Sequence, residues 1–109
     1  MPILVYVAGP YTGDTEPNIR AAQRVAAQLI SPSVFPVVPH EMNQHLAHCG
    51  DIGYWYRATL EIMLRCDAVV LVERWCESTG AIAEVAAAHR AGISVYETVA
   101  EFEARNERP

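Results

Sequence analysis

The sequence predicts an α/β fold: a small, doubly wound, flavodoxin- or Rossmann-like parallel sheet of about four to five strands flanked by helices. Three observations predict it. Short β-branched runs alternate with longer stretches of helical periodicity, four times along the chain. The first and third runs, Ile3–Ala8 and Asp67–Val72, are nearly continuous in apolar residues, which is how strands covered on both faces read. Clusters of glycine, proline, hydroxyl and acidic residues separate the elements. With 109 residues, 51% of them hydrophobic, a single domain spanning 1–109 is expected, with a core that needs no disulfides.

Each element has its own signal. Ile3–Ala8 is the first strand, and Gly9 to Asp14 is a turn-rich loop. A helix starts near Glu16 and Pro17 with Thr15 as N-cap and runs to Ile30; Ile19, Ala22, Val25, Ala26 and Leu29 share one face. Val34–Val38 is the second strand, and Pro36 predicts an edge position because proline cannot donate to a ladder. Pro39 to Gly53 reads as an irregular functional loop of about 15 residues. Tyr54–Arg65 is a helix and Asp67–Val72 the third strand. After a polar loop, Glu73 to Ser78, the helix Gly80–Ala91 is capped by Ser78 or Thr79 and stopped by Gly92. Ile93–Tyr96 is the fourth strand and Thr98–Arg105 a last amphipathic helix. Right-handed crossovers give the strand order 2-1-3-4, with a ligand crevice between the loops leaving strands one and three.

Composition removes several classes of function. All eight basic residues are arginine, so there is no Schiff-base lysine and no Walker-type phosphate loop. A net charge of -5 argues against binding a nucleic-acid polymer, though not against a small phosphorylated ligand. The apolar runs are too short to cross a membrane, and Ile3–Ala8 is too short for a signal peptide and has no basic region ahead of it; a cytoplasmic location is expected. Cys49, Cys66 and Cys76 match no zinc or disulfide framework and are expected to be reduced, with Cys66 in the core. His40, His45, His48 and Cys49 lack metal-ligand spacing, so neither metal nor cofactor is expected.

The candidate chemistry gathers at the predicted crevice. Glu84 is the only charge between Glu77 and His89, on an alanine-rich helix that must pack closely against its neighbours. Ser78, Thr79 and Gly80 open that helix, where free N–H groups favour an anion. A phosphate there would lie within one or two turns of Glu84. Tyr6, near the end of the first strand, reads either as a core aromatic or as a group that orients a carboxylate; Tyr11 follows in the loop. His40 stands at a strand's carboxyl end, within reach of a ligand. Trp55, Tyr56 and Trp75 can wall a flat ring or form core or dimer contacts. Asp67 reads as a turn or cap group.

The run Val5-Tyr6-Val7-Ala8-Gly9-Pro10-Tyr11-Thr12-Gly13, then Asn18, Pro39-His40, Cys66 to Leu71, Trp75 and Ser78-x-Gly80-Ala81-x-x-Glu84, ending Gly92-Ile93-x-Val95, resembles the nucleoside 2-deoxyribosyltransferase superfamily over residues 3 to 97. It looks closest to a branch of small bacterial and phage proteins related to the 2'-deoxynucleoside 5'-phosphate N-hydrolases. The resemblance implies that Glu84 is a catalytic nucleophile at the anomeric carbon and that Tyr6 hydrogen-bonds it. It implies that Ser78 meets a 5'-phosphate, and that Gly9, with the Pro10 and Tyr11 loop, lies under base and sugar. It further implies a homodimer or higher homo-oligomer that completes each site. The family usually carries an aspartate about eight residues before Asp67; here that place is Thr59. Glu61, two residues on, and Asp67 are the remaining candidates for an acid or base contact, although two residues is about 200° around a helix.

The expected activity is cleavage or transfer of the N-glycosidic bond of a nucleoside or its 5'-monophosphate, a retaining glycosyl transfer with no cofactor. Its alternatives are a catalytically inactive nucleotide-binding module on the same fold and a structural subunit that serves only as a dimer interface.

Overall fold

The computed structural model describes residues 2–106, whose four strands form one parallel sheet in the order β2-β1-β3-β4. β1 (Ile3–Ala8) lies between β2 (Val34–Val37) and β3 (Ala68–Leu71), and β4 (Ser94–Tyr96) pairs with β3. The order is the one that right-handed crossovers dictate, and Pro36 lies on an edge strand, where its missing N–H leaves no gap in the ladder. Tyr6 stands opposite Val37 on one side and Val69 on the other, in the middle of the sheet.

Five helices cover the sheet: α1 (Thr15–Leu29), α2 (Pro39–Leu46), α3 (Ile52–Met63), α4 (Thr79–Arg90) and α5 (Val99–Asn106). Alternation along β1 divides the core in two. Val5 and Val7 join Val70, Val72, Ala22, Ala26, Leu29 and Phe102 under α1 and α5. Tyr6 and Ala8 join Val69, Leu71, Met63, Val85 and Ala88 under α3 and α4. Cys66 is buried in the second layer, where burial and the neighbouring Asp67 push its thiol up to about 11; it is an inert core residue. Cys49 and Cys76 are exposed.

Several boundaries differ from the sequence expectation, each for a local reason. Pro39 to Gly53 is not irregular: it folds as α2 followed by a 3-10 turn at Ala47–Cys49. Pro39 sits in the first turn of α2, where its ring matches helical φ and no N–H is needed, and His40 is turned into the protein. Gln23 of α1 donates to Glu41 of α2 and ties the two helices together. Asp14, not Thr15, takes the cap position of α1, without a side-chain cap bond. Asn18 performs the tethering instead: its amide donates to the main-chain oxygens of Tyr11 (3.3 Å) and Thr12 (3.2 Å), fixing the loop after β1. α3 begins at Ile52, two residues before Tyr54, because Asp51 caps it and accepts the Tyr54 N–H at 2.7 Å. Gly92 ends α4 with a positive φ of 77°, as expected of a left-handed stop.

No helix among the described residues is long and apolar enough to cross a membrane.

Candidate active site

A cleft of about 460 Å³ opens beyond the carboxyl ends of β1 and β3, where the strand order reverses. Its floor is the loop after β1. A Cβ on Gly9 would come within 2.5 Å of the Val72 Cβ, so only glycine lets this loop lie against the end of β3. Pro10, Tyr11 and Thr12 continue the floor, α2 and the 3-10 turn form one wall, α3 another, and the start of α4 closes the far side.

At depth, Tyr6 and Glu84 meet. The fully buried Tyr6 side chain runs from β1 toward α4, and its hydroxyl donates to Glu84 Oε2 at 2.8 Å. Burial raises the Tyr6 phenol well above its ordinary value, and the adjacent Glu84 carboxylate raises it further, so the phenol keeps its proton and remains a donor. Burial also raises the Glu84 carboxyl, an effect partly offset by the hydroxyls of Tyr6 and Thr59. The carboxylate is thus desolvated, oriented by a donor that does not ionise, and open to the cleft.

Thr59 belongs to this cluster. It is buried on the inner side of α3, and its hydroxyl donates to the Trp55 carbonyl at 2.9 Å. Glu61 faces the other way, as the helical angle requires: it pairs with Arg65 at 2.8 Å, both side chains largely in solvent. Glu61 is therefore not brought to the cleft. Asp67 is also elsewhere. It precedes β3 at the amino end of the strands, where its carboxylate accepts the Leu4 N–H at 2.9 Å and fixes the β1–β3 register. Trp75 lies outside the cleft lining too; it packs against the buried cluster of Tyr6 and Val85. The other sequence candidates, Gly9, Pro10, Tyr11, His40, Ser78, Thr79 and Gly80, all line the cleft with Tyr6 and Glu84.

Ser78 caps α4, its hydroxyl oxygen accepting the Ala81 N–H at 3.1 Å. That leaves the hydroxyl proton and the N–H groups of Thr79 and Gly80 without partners inside the helix. Gly80 keeps the opening shallow: a Cβ there would lie 3.3 Å from the ring of Tyr56. Glu84, six residues past Ser78, is about 9 Å further along the axis.

His40 is 3% exposed, with Nε2 at 2.9 Å from the Pro10 carbonyl. That carbonyl can only accept, so Nε2 carries the proton. Burial lowers the His40 pKa, partly opposed by the Pro10 and Gly9 carbonyls and Glu41, and the ring is neutral at neutral pH. The Tyr11 ring meets it edge-on, centroids 6.0 Å apart. Nδ1 of His40 and Oδ1 of Asn43 are buried without a hydrogen-bond partner, three residues apart on α2.

Sequence reasoning missed Asn43 as a contributor. Asn43 lay in the stretch read as loop; Pro39 at a helix start and its i,i+3 spacing from His40 were the available signals. Of the aromatic candidates, Trp55 lines the cleft and anchors it, its indole N–H donating to the Ala47 carbonyl at 3.2 Å, and Tyr56, about half exposed on α3, lines it as well. Thr59, which stands where the resembled family usually has an aspartate, is buried on the inner side of α3 beside Glu84. Among the described residues no group of three or more His, Cys, Asp or Glu is arranged to hold a metal ion.

No curated protein sequence and no solved structure matches this chain. A family model does, over residues 3–97, and its description is "Domain of unknown function (DUF4406)". That span runs from β1 through β4 and contains every residue of the cleft, so the chain belongs to the DUF4406 family.

Proposed function

We propose that this chain cleaves or transfers the N-glycosidic bond of a nucleoside or nucleoside 5'-monophosphate, with Glu84 as nucleophile. The observation that carries this reading is the Tyr6–Glu84 pair, 2.8 Å apart at the bottom of a cleft whose far side is a helix N-terminus. A carboxylate used on an anomeric carbon must be held in one rotamer, kept from solvent and aimed at the substrate. Tyr6 supplies the first condition, burial under α3 and α4 the second, and the cleft the third. The sugar's transition state carries positive charge, which a desolvated carboxylate stabilises strongly. The free N–H groups and hydroxyl at the start of α4 suit a 5'-phosphate. The resemblance to the nucleoside 2-deoxyribosyltransferase superfamily supports the same roles. Water as acceptor makes the enzyme a hydrolase; a second base makes it a transferase.

The test is chromatographic detection of free base after incubation with ribo- and deoxyribonucleosides and their 5'-monophosphates, with and without an acceptor base. Release by wild type and none by Glu84→Ala is the expected result. Equal release by Glu84→Ala removes the assignment. Absence of release together with a thermal shift identifies a binding module; a ligand at 100 times its Kd stabilises by about 2.7 kcal/mol.

A further inference from the structure

The lining of the cleft says something about the leaving group. A neutral nucleobase departs as an anion unless a proton reaches it, and enzymes that release such bases supply an acid worth roughly 10²- to 10⁴-fold. Among the described residues around Glu84, the side chains that could give up a proton are mostly committed to other partners. Thr59, the residue of α3 that packs beside Glu84, is an alcohol whose hydroxyl donates to the Trp55 carbonyl. Tyr6 donates to Glu84 itself. His40 is a neutral imidazole whose one N–H, at Nε2, donates to the Pro10 carbonyl. Glu77, the only other carboxyl in the lining, is at the rim in an ion pair with Arg74 at 3.0 Å. Of the remaining phenols, Tyr11 stands in the loop after β1 and Tyr56 is about half exposed on α3.

The same lining favours a cation. Among the described residues it contains two carboxylates, no lysine and no arginine. Tyr11, Trp55 and Tyr56 offer aromatic faces, which attract positive charge as well as flat rings. Glu84 is in addition a carboxyl whose burial resists ionisation. A cationic substrate reverses that on binding, since an opposite charge within a few ångströms favours the carboxylate. Such a substrate ionises its own nucleophile.

We propose that the substrate is an N-glycoside whose leaving ring is already a cation, of the pyridinium or N7-alkylated purine type. This rests on the glycosidase reading and narrows it. In the first step a Glu84 oxygen forms a bond to the anomeric carbon while the carbon–nitrogen bond breaks. The electron pair returns to the ring nitrogen, cancels its charge, and the ring leaves neutral with no proton transferred. In the second step water attacks the anomeric carbon, the carboxylate departs with its pair, and the water's proton passes to solvent. Free sugar, neutral ring and one proton are the products.

The experiment offers nicotinamide riboside, nicotinamide mononucleotide and 7-methylguanosine beside nicotinamide-free nucleosides and nucleotides, at equal concentration, with Glu84→Gln as control. Wild type is expected to release the cationic rings at least on the order of 10²-fold faster, the factor a missing acid withholds from neutral bases. Its kcat/KM should rise with pH as Glu84 ionises and then stay level, with no alkaline fall from a catalytic acid. Neutral bases released as fast as cationic ones, or a falling alkaline limb, would overturn the proposal and leave the glycosidase reading intact. Release of no ring from any compound would remove both.

Discussion

On the face covered by α1 and α5, β1 presents Val5 and Val7; on the face covered by α3 and α4, the same strand presents Tyr6 and Ala8. The fully buried side chains of the first layer are hydrocarbon, from Ala22 and Leu29 to Phe102. The second holds a buried phenol, a thiol and, at its edge, Thr59 and Glu84. One layer can be read as stability alone. The other gives up some stability to hold a desolvated carboxylate, the usual trade at a functional site. The alternation of a single strand is enough to separate the two.

Substitutions can break or sharpen that contrast. The largest loss of stability is expected on the closed face. Phe102 is buried against Tyr96, ring centroids 5.5 Å apart, and Phe102→Ala should cost about 3–5 kcal/mol in urea unfolding. Activity per folded molecule should persist; its selective loss would mean the two faces are coupled. On the open face, Tyr6→Phe keeps the ring and removes the donor to Glu84. A cost of about 1–3 kcal/mol is expected from the unsatisfied carboxylate. The acid limb of the activity profile should move to higher pH, because the Glu84 carboxyl loses a bond that favours its charged form.

Glu84→Gln should do the opposite of a core deletion and raise Tm near neutral pH. Folding favours the protonated Glu84, so its contribution is present in acid and is lost as pH rises through the raised pKa. The gain from Gln should therefore shrink on acidification toward the ordinary carboxyl value of 4.5. His40 acts in the other direction. Its pKa is lowered, so its contribution is present above the ordinary 6.5 and is lost as pH falls below that. His40→Gln, which can still donate toward Pro10, should flatten the decline of Tm between about pH 6.5 and 5; an unchanged decline would mean His40 is not the group responsible.

The strand order and the helix that carries Glu84 were legible because their signals are local. Continuous β-branched runs, a serine cap and a glycine stop each act within a few residues. So were the two loops that bound the cleft, after β1 and after β3, since both follow from the switch point, whereas the Tyr6–Glu84 contact was implied only by the family resemblance. What was not legible depended on tertiary contacts. α2 is eight residues long with no side-chain cap, and is held by His40 on Pro10 and Gln23 on Glu41, partners far away in sequence. Trp75 read from its loop position as a ring wall or as a core or dimer contact, and the structure packs it inward on the Tyr6 layer. Asp67 looked like a cap, and it does hold a main-chain N–H, that of Leu4, from a position 63 residues later in the chain.

The smallest expected effect is also the one that most directly tests how α3 is oriented. Thr59 and Glu61 lie two residues apart, and helical geometry puts one against Glu84 and the other in solvent beside Arg65. An exposed i,i+4 pair of this kind contributes only about 0.3–0.5 kcal/mol. Glu61→Gln should thus shift stability by no more than that and leave any base release, and its pH dependence, unchanged. Thr59→Val removes a hydroxyl that Glu84 feels and should shift the acid limb upward, in the same direction as Tyr6→Phe but by less, since Tyr6 is the stronger of the two partners. If Glu61→Gln moved the pH profile and Thr59→Val did not, the carboxyl on the outer side of α3 would be the one reaching substrate, and the cleft would have an acid after all.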